Sequence, residues 1–200
     1  MTRVVAGSAR GRRLAVPPGE GTRPTSDRAR EALFSSLAAL VGAWAGRRVL
    51  DLYAGSGAVG LEALSRGAAH ALLVESDLRA VRTITANVET LGLPGAVVRQ
   101  GRVERVVAHG LPGPAYDVVF ADPPYDLSDE DLRAVLVDLR PQVTDDAVAA
   151  VERSTRGGDW SWPAGWAGLR SRRYGEATLW YGRAAAAGPR AEREDPVTLQ

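Results

Sequence analysis

From Arg48 onward the chain alternates between short runs of consecutive apolar residues and longer segments whose apolar positions recur every three or four residues. The runs Val49–Tyr53, Ala71–Glu75, Ala96–Val98, Tyr116–Ala121 and Val148–Glu152 read as strands, being short and bounded by Gly, Pro or polar residues. Helical spacing predicts helices from a Gly-rich turn through about Ser65, then over Asp77–Leu91, Val103–Ala108 and Asp129–Leu139. Near-continuous apolar strands alternating with helices predict a parallel sheet covered on both faces. Upstream, Thr25-Ser26-Asp27 offers capping oxygens for a helix over Arg28–Val41, with Ala32, Leu33, Leu37 and Leu40 on one face. Before it, Arg3–Ala6 and Arg13–Val16 are short β-like stretches that predict a small hairpin or extended arm. Near the other end, Leu169–Tyr174 and Ala177–Tyr181 flank Gly175-Glu176 and predict a terminal antiparallel hairpin. No internal repeat is visible.

Two hundred residues suffice for one core. The expected organisation is a basic arm over 1–25, a single domain over 26–183, and a disordered tail over 184–200, where periodicity is lost. With 45% apolar and 24% charged residues, the composition is that of a globular protein. No apolar run approaches the ~20 residues of a membrane helix, and no signal-peptide core follows Arg3, so a cytoplasmic location is expected. The absence of cysteine excludes disulfides and thiolate metal sites, and two histidines, His70 and His109, argue against a His-rich one, so no metal is expected. A monomer is the default expectation. The net charge of +1 marks no global field, but its distribution is uneven. Arg3, Arg10, Arg12, Arg13, Arg23, Arg28 and Arg30 stand against only Glu20 and Asp27 in the first thirty residues. Such a cluster suits either a solvated arm or phosphate neutralisation. The chain contains no lysine, so the preference for arginine carries no weight by itself.

Gly55-Ser56-Gly57-Ala58-Val59-Gly60 follows the first of the apolar strands and opens a helix, matching the G-x-G-x-x-G turn of dinucleotide sites. Alone, that match is weak. Asp51 precedes the turn by four residues, where its charge would repel a pyrophosphate and attract an α-ammonium group. Glu75 ends the next strand, a position from which an acid hydrogen-bonds ribose hydroxyls. An amino acid joined to a nucleoside satisfies both carboxylates, so S-adenosylmethionine fits better than NAD. Candidate cofactor contacts are Asp51, Tyr53, Ala54, Gly55, Ser56, Gly57, Glu75 and Ser76.

Asp122-Pro123-Pro124-Tyr125 directly follows the strand Tyr116–Ala121 and is the most specific signal in the chain. Parallel-sheet enzymes place their chemistry at the carboxyl ends of strands where the strand order reverses, so this tetrapeptide is expected beside the glycine turn. The prolines fix φ and remove backbone donors, leaving an Asp side chain and a proline carbonyl as two acceptors. An exocyclic amino group has two N–H donors to offer them. Holding both favours a pyramidal nitrogen with its lone pair aimed at an electrophilic methyl group, and stabilises the positive charge that develops. Tyr125 is placed to stack on a base. Asp122, Pro123, Pro124 and Tyr125 are therefore the candidate catalytic residues.

With both motifs in place, the sequence resembles the RsmD family of bacterial 16S rRNA guanine-N2 methyltransferases, from Arg3 to about Tyr181. The resemblance rests on Arg3–Gly7 with Arg10–Leu14, on Thr22–Phe34 with its Arg23-Pro24-Thr25-Ser26-Asp27-Arg28 core, on Asp51–Gly67, and on Asp122–Tyr125. It implies a Rossmann-like, doubly wound seven-stranded class I methyltransferase sheet with an N-terminal β-hairpin extension. It also implies S-adenosylmethionine as cofactor and one swung-out guanine of 16S rRNA, within assembled or assembling 30S subunits, as substrate. Arg10, Arg12, Arg13, Arg23 and Arg28 become candidate RNA contacts, while Arg23 or Arg28 is alternatively a buried partner of Asp27 or Glu31. One departure stands out: after the third strand, where such enzymes often carry an acidic or amide residue for adenine, this chain has Gly101-Arg102-Val103. Gly101 and Arg102 would then serve through backbone and packing. Trp160, Trp162 and Trp166 are expected to pack at the sheet edge rather than stack on RNA. Competing readings are transfer to DNA adenine or to a protein glutamine, NAD-dependent oxidation, and a silent RNA-binding assembly factor.

Overall fold

The computed structural model describes residues 2–17 and 27–185. Its element order is β1 (Thr2–Arg3), β2 (Arg13–Leu14), α1 (Asp27–Val41), β3 (Arg48–Leu52), α2 (Ala58–Ser65), β4 (His70–Glu75), α3 (Leu78–Leu91), β5 (Ala96–Gln100), α4 (Val103–Ala108), β6 (Tyr116–Ala121), α5 (Asp129–Leu139), β7 (Val143–Ser154), β8 (Trp166–Tyr174) and β9 (Ala177–Ala184). Strands β1 and β2 form a small antiparallel hairpin, and the other seven form one sheet in the order β5-β4-β3-β6-β7-β9-β8. The first five in that row are parallel; β9 runs antiparallel to β7, and β8 antiparallel to β9.

Alternation along each buried strand divides the core in two. Val49, Leu73, Val118, Phe120 and Ala150 face α1, α2 and α3, whereas Leu50, Leu72, Val119, Ala121 and Val151 face α4 and α5. Helix ends follow local chemistry. Asp77 caps α3 by accepting from the Arg79 and Ala80 amides, and Gly92 ends it at φ 63°. Ser128 caps α5 through the Asp131 amide.

The hairpin is docked on α2 by buried polar groups. Glu62, wholly buried, accepts from the Val5 and Ala6 amides at 2.7 and 2.9 Å and from Arg66 Nε at 2.8 Å. Ser65 Oγ donates to the Ala6 carbonyl and accepts from the Ala9 amide. Gly7 has φ 80°, and a Cβ there would lie 1.8 Å from the Ser65 carbonyl oxygen, so only glycine permits this approach. Arg30, 1% exposed, lies 3.7 Å from Glu62 and hydrogen-bonds Thr2 Oγ1, the Arg3 carbonyl and Asp27. Asp27 thus pairs with Arg3 and Arg30, and Glu31 with Arg66; Arg28 is not the buried partner that the sequence allowed for.

Two strands start well before the apolar pattern predicts. β7 starts at Val143, five residues early, because its polar opening Thr144-Asp145-Asp146 lies along the sheet after Val143 pairs with Tyr116. β8 starts at Trp166, three residues early, through Gly168, which pairs with Gly182. The Trp162 ring covers that pair, and a Cβ on either glycine would approach it to within 3 Å. Trp160 and Trp166 are buried, with Trp162 edge-on to one and stacked on the other, as expected for packing. The sheet's last strand reaches Ala184, and the Ala185 amide donates to the Gly165 carbonyl, so the first two residues of the expected tail belong to the sheet and its edge. The rest of that tail, like Arg23 and the Thr25-Ser26 cap, lies outside the described residues. No helix among the described residues is long and apolar enough to cross a membrane.

Candidate active site

The strand order reverses between β3 and β6: from β3 the chain winds outward through β4 and β5, and from β6 it winds the other way through β7. Their carboxyl ends border the crevice where doubly wound sheets bind ligands. The register aligns Leu52 with Ala121, and the Asp122 amide meets the Leu52 carbonyl at 3.5 Å. The glycine turn after β3 and the Asp122–Tyr125 segment after β6 are thereby neighbours, as the sequence predicts. Both line a cleft of about 1260 Å³. A smaller cavity of about 330 Å³ adjoins it and shares Asp122, Pro123, Tyr125, Glu152 and Ala177 with it.

On one side of the cleft the chain turns tightly. Tyr53 takes φ 59°, rare for a non-glycine, and Gly55 and Gly57 have φ of 57° and 75°. Gly57, the N-cap of α2, is enclosed: a Cβ there would lie 2.9 Å from Leu73 and 3.1 Å from Ile84. It brings helix and sheet together and does not line the cleft, whereas Tyr53, Ala54, Gly55 and Ser56 do. Asp51 is 1% exposed and accepts from the Gly60 amide at 2.8 Å, so its carboxylate caps α2 from the neighbouring strand. It also borders the cleft. Burial pushes its ionisation up to about 8 against the Gly60 hydrogen bond, and the charges of Asp122 and Glu75 add to the rise. Glu75 accepts from the Gly55 amide at 2.8 Å and from the Ser76 and Asp77 amides at 2.7 and 2.9 Å. The latter two amides and the Ser76 hydroxyl crowd Oε1, whereas Oε2 accepts from Gly55 alone and keeps a lone pair for a further donor.

On the other side, Asp122 is partly buried, Pro123 is buried, and Pro124 and Tyr125 are exposed, Tyr125 by 74%. Burial raises Asp122 to about 6. One carboxylate here escaped the sequence analysis. Glu152, next to Asp122 in register because Ala121 pairs with Val151, lines both cavities and is raised to about 8 by burial and then by the Asp122 charge. Its signal was an acid ending an apolar strand, the same signal that marks Glu75. At the far end, Tyr53 donates from its hydroxyl to Glu104 at 3.1 Å, and burial with the Glu104 charge suppresses its ionisation. Glu104, in the first turn of α4, was also missed. The cleft is therefore acidic, bordered by Asp51, Glu75, Glu104, Asp122 and Glu152, with Arg28 and Arg102 among the cations at its edge.

The comparisons with known proteins agree with this geometry. A family model described as Conserved hypothetical protein 95 matches residues 2–183. The ribosomal RNA small subunit methyltransferase D of Escherichia coli is 37% identical over 177 residues, 87% of this chain and 85% of that protein. The chain belongs to the RsmD family. A solved methyltransferase candidate from Escherichia coli superposes with a TM-score of 0.79 at 33% identity, covering 92% of this chain and 98% of that one. An rRNA methyltransferase from Streptomyces viridochromogenes shares the fold, with a TM-score of 0.67 at 19% identity over 88% of this chain and 92% of that one.

Among the RsmD-like features, the remaining expected residues divide as follows. Ser76 and Arg102 line the cleft; Gly101 does not, its amide donating instead to the Glu75 carbonyl. Arg28 lines the cleft, while Arg10 and Arg13 are exposed on the hairpin. Arg12 is turned to the end of α3, where it donates to the Leu91 carbonyl at 2.7 Å and to that of Thr90. Exposed as it is, Arg12 therefore also anchors the hairpin to that helix end. Arg66 lies over the Phe34 ring and links α1 to α2 through Glu31 and Glu62, which accounts for the Glu62–Arg66 part of the family-like segment.

Proposed function

We propose that this chain transfers the methyl group of S-adenosylmethionine to the exocyclic N2 amino group of one guanine in 16S rRNA, acting in the cytoplasm on assembled or assembling 30S subunits. The reading is carried by one observation: the glycine turn with its two acids and the Asp122-Pro123-Pro124-Tyr125 segment border a single cleft that shares Asp122 with an adjoining second cavity. The name of the Escherichia coli relative supplies the substrate class.

The residues present fit the cofactor. Asp51 and Glu75 offer acceptors to an ammonium group and to ribose hydroxyls, and the positive-φ Gly55 admits a ligand close to the backbone. The acidity of the cleft favours a cationic ligand and disfavours a pyrophosphate, which counts against NAD. When bound, S-adenosylmethionine supplies an electrophilic methyl group on a good leaving group. This chain's residues orient the acceptor. Asp122 and the Pro123 carbonyl would receive the two amino hydrogens, and the exposed Tyr125 ring would lie against the base. The proton lost after transfer would pass to the Asp122 carboxylate or to water.

The test is transfer of labelled methyl to small subunits from a strain lacking the activity, with duplex DNA and protein glutamine acceptors in parallel. Nuclease digestion and mass spectrometry are expected to find N2-methylguanosine at one position. Label only in DNA or protein would overturn the assignment.

A further inference from the structure

Glu152 has no evident structural reason to sit where it does. Among the described residues neither it nor Asp122 has a hydrogen-bond or ion-pair partner for its carboxylate. The adjacent Arg153 also lines the smaller cavity, as does Arg156, but its guanidinium is engaged by Asp129 at 2.7 Å and by the Leu127 carbonyl at 2.9 Å, and Arg156 pairs with Glu176. Two partly buried carboxylates on neighbouring strand ends repel one another, and with no protein donor engaged their oxygens face the cavities and are open to a ligand's donors. Both border the smaller cavity and the larger cleft alike.

We propose that Glu152 is the specificity-determining residue of the base cavity, its carboxylate accepting the ring N1–H of the guanine whose amino group is held at Asp122. The inference rests on the functional reading above and deepens it. The chemistry of base edges favours this assignment. Guanine presents an amino group and a ring N–H side by side, two adjacent donor positions for two adjacent acceptors. Adenine and cytosine place a ring nitrogen lone pair beside their amino group, which would face the Glu152 carboxylate and be repelled. Uracil has a ring N–H but no amino group to receive the methyl. A carboxylate pair is thus a filter for guanine, built from backbone register rather than from a separate recognition domain.

The experiment compares small subunits carrying guanine or 2-aminopurine at the mapped position. 2-Aminopurine keeps the amino group but has a lone pair at N1. The assay is run above the pH of about 8 at which Glu152 ionises. The wild type is expected to methylate guanine about 10- to 100-fold faster than 2-aminopurine under single-turnover conditions. Glu152→Gln, whose amide nitrogen donates to a lone pair, is expected to reduce that ratio to about one or below while binding S-adenosylhomocysteine normally. An unchanged ratio in the variant would overturn the role of Glu152. Equal transfer to both bases by the wild type, a result that needs no variant, would also overturn the proposal, since it excludes an N1–H contact. Absence of any N2 methylation by the wild type would instead remove the functional reading itself.

Discussion

Carboxylates that folding alone would not favour define this site. Asp122 sits at about 6 because burial penalises its charge, and an acceptor of amino hydrogens works best ionised. The single-turnover rate is therefore expected to fall as pH drops, first through about 8 as Glu152 is protonated and then through about 6, in a titration that belongs to Asp122 and Glu152 jointly. Asp122→Asn should flatten that limb, and Asp122→Ala should lose roughly 10²–10³-fold in transfer while binding S-adenosylhomocysteine nearly as well. Equal turnover in the alanine variant would contradict the mechanism. Asp51 allows a second test. Its ionisation lies near 8 in the unliganded cleft, and an ammonium group beside it favours the charged form and lowers that value. Binding should then release protons near neutrality and tighten as pH rises toward 8. Calorimetry of S-adenosylhomocysteine in buffers of different ionisation enthalpy reads the release, which Asp51→Asn should abolish.

At the scale of elements, the N-terminal hairpin and α2 behave as one unit. Glu62 accepts two hairpin amides and an Arg66 N–H, and faces the fully buried Arg30, so its removal leaves two partly buried amides without an acceptor and takes from Arg30 one of the two carboxylates near it. Glu62→Ala is expected to cost about 3–5 kcal/mol in denaturant unfolding, or to release the hairpin, seen as faster hydrogen exchange at the Val5 and Ala6 amides. Loss of less than about 1 kcal/mol with unchanged exchange would show that the hairpin is held elsewhere. Arg12 belongs to the same unit through the end of α3. Its substitution should affect stability more than RNA affinity.

For the whole molecule, a net charge of +1 conceals a division between an acidic cleft and an arginine-bearing hairpin. If Arg10 and Arg13 neutralise phosphates, each alanine variant should weaken binding to small subunits and reduce the slope of log K against log salt by about 0.7–0.9 per lost contact. Transfer at saturating subunit concentration should stay unchanged. Filter binding across a salt series measures the slopes, and slopes equal to wild type would place the RNA interface on another face.

Period and punctuation in the chain determined the alternation of strands and helices, the terminal hairpins and the two motifs, because apolar spacing and turn residues act locally. Val103–Ala108 and Asp129–Leu139 match the structure at both ends, and Asp122–Tyr125 and Asp51 lie where strand ends were expected. Tertiary structure alone decided what those residues touch. Glu152 stands thirty residues from Asp122 in sequence and becomes its neighbour only when β6 and β7 pair. Gly57 and Gly101 turned out to serve packing and backbone pairing, and Arg12 and Arg30 to fix the hairpin. A side chain's partners across a sheet depend on strand order and register, which arise from burying both faces at once and leave no mark in the local pattern.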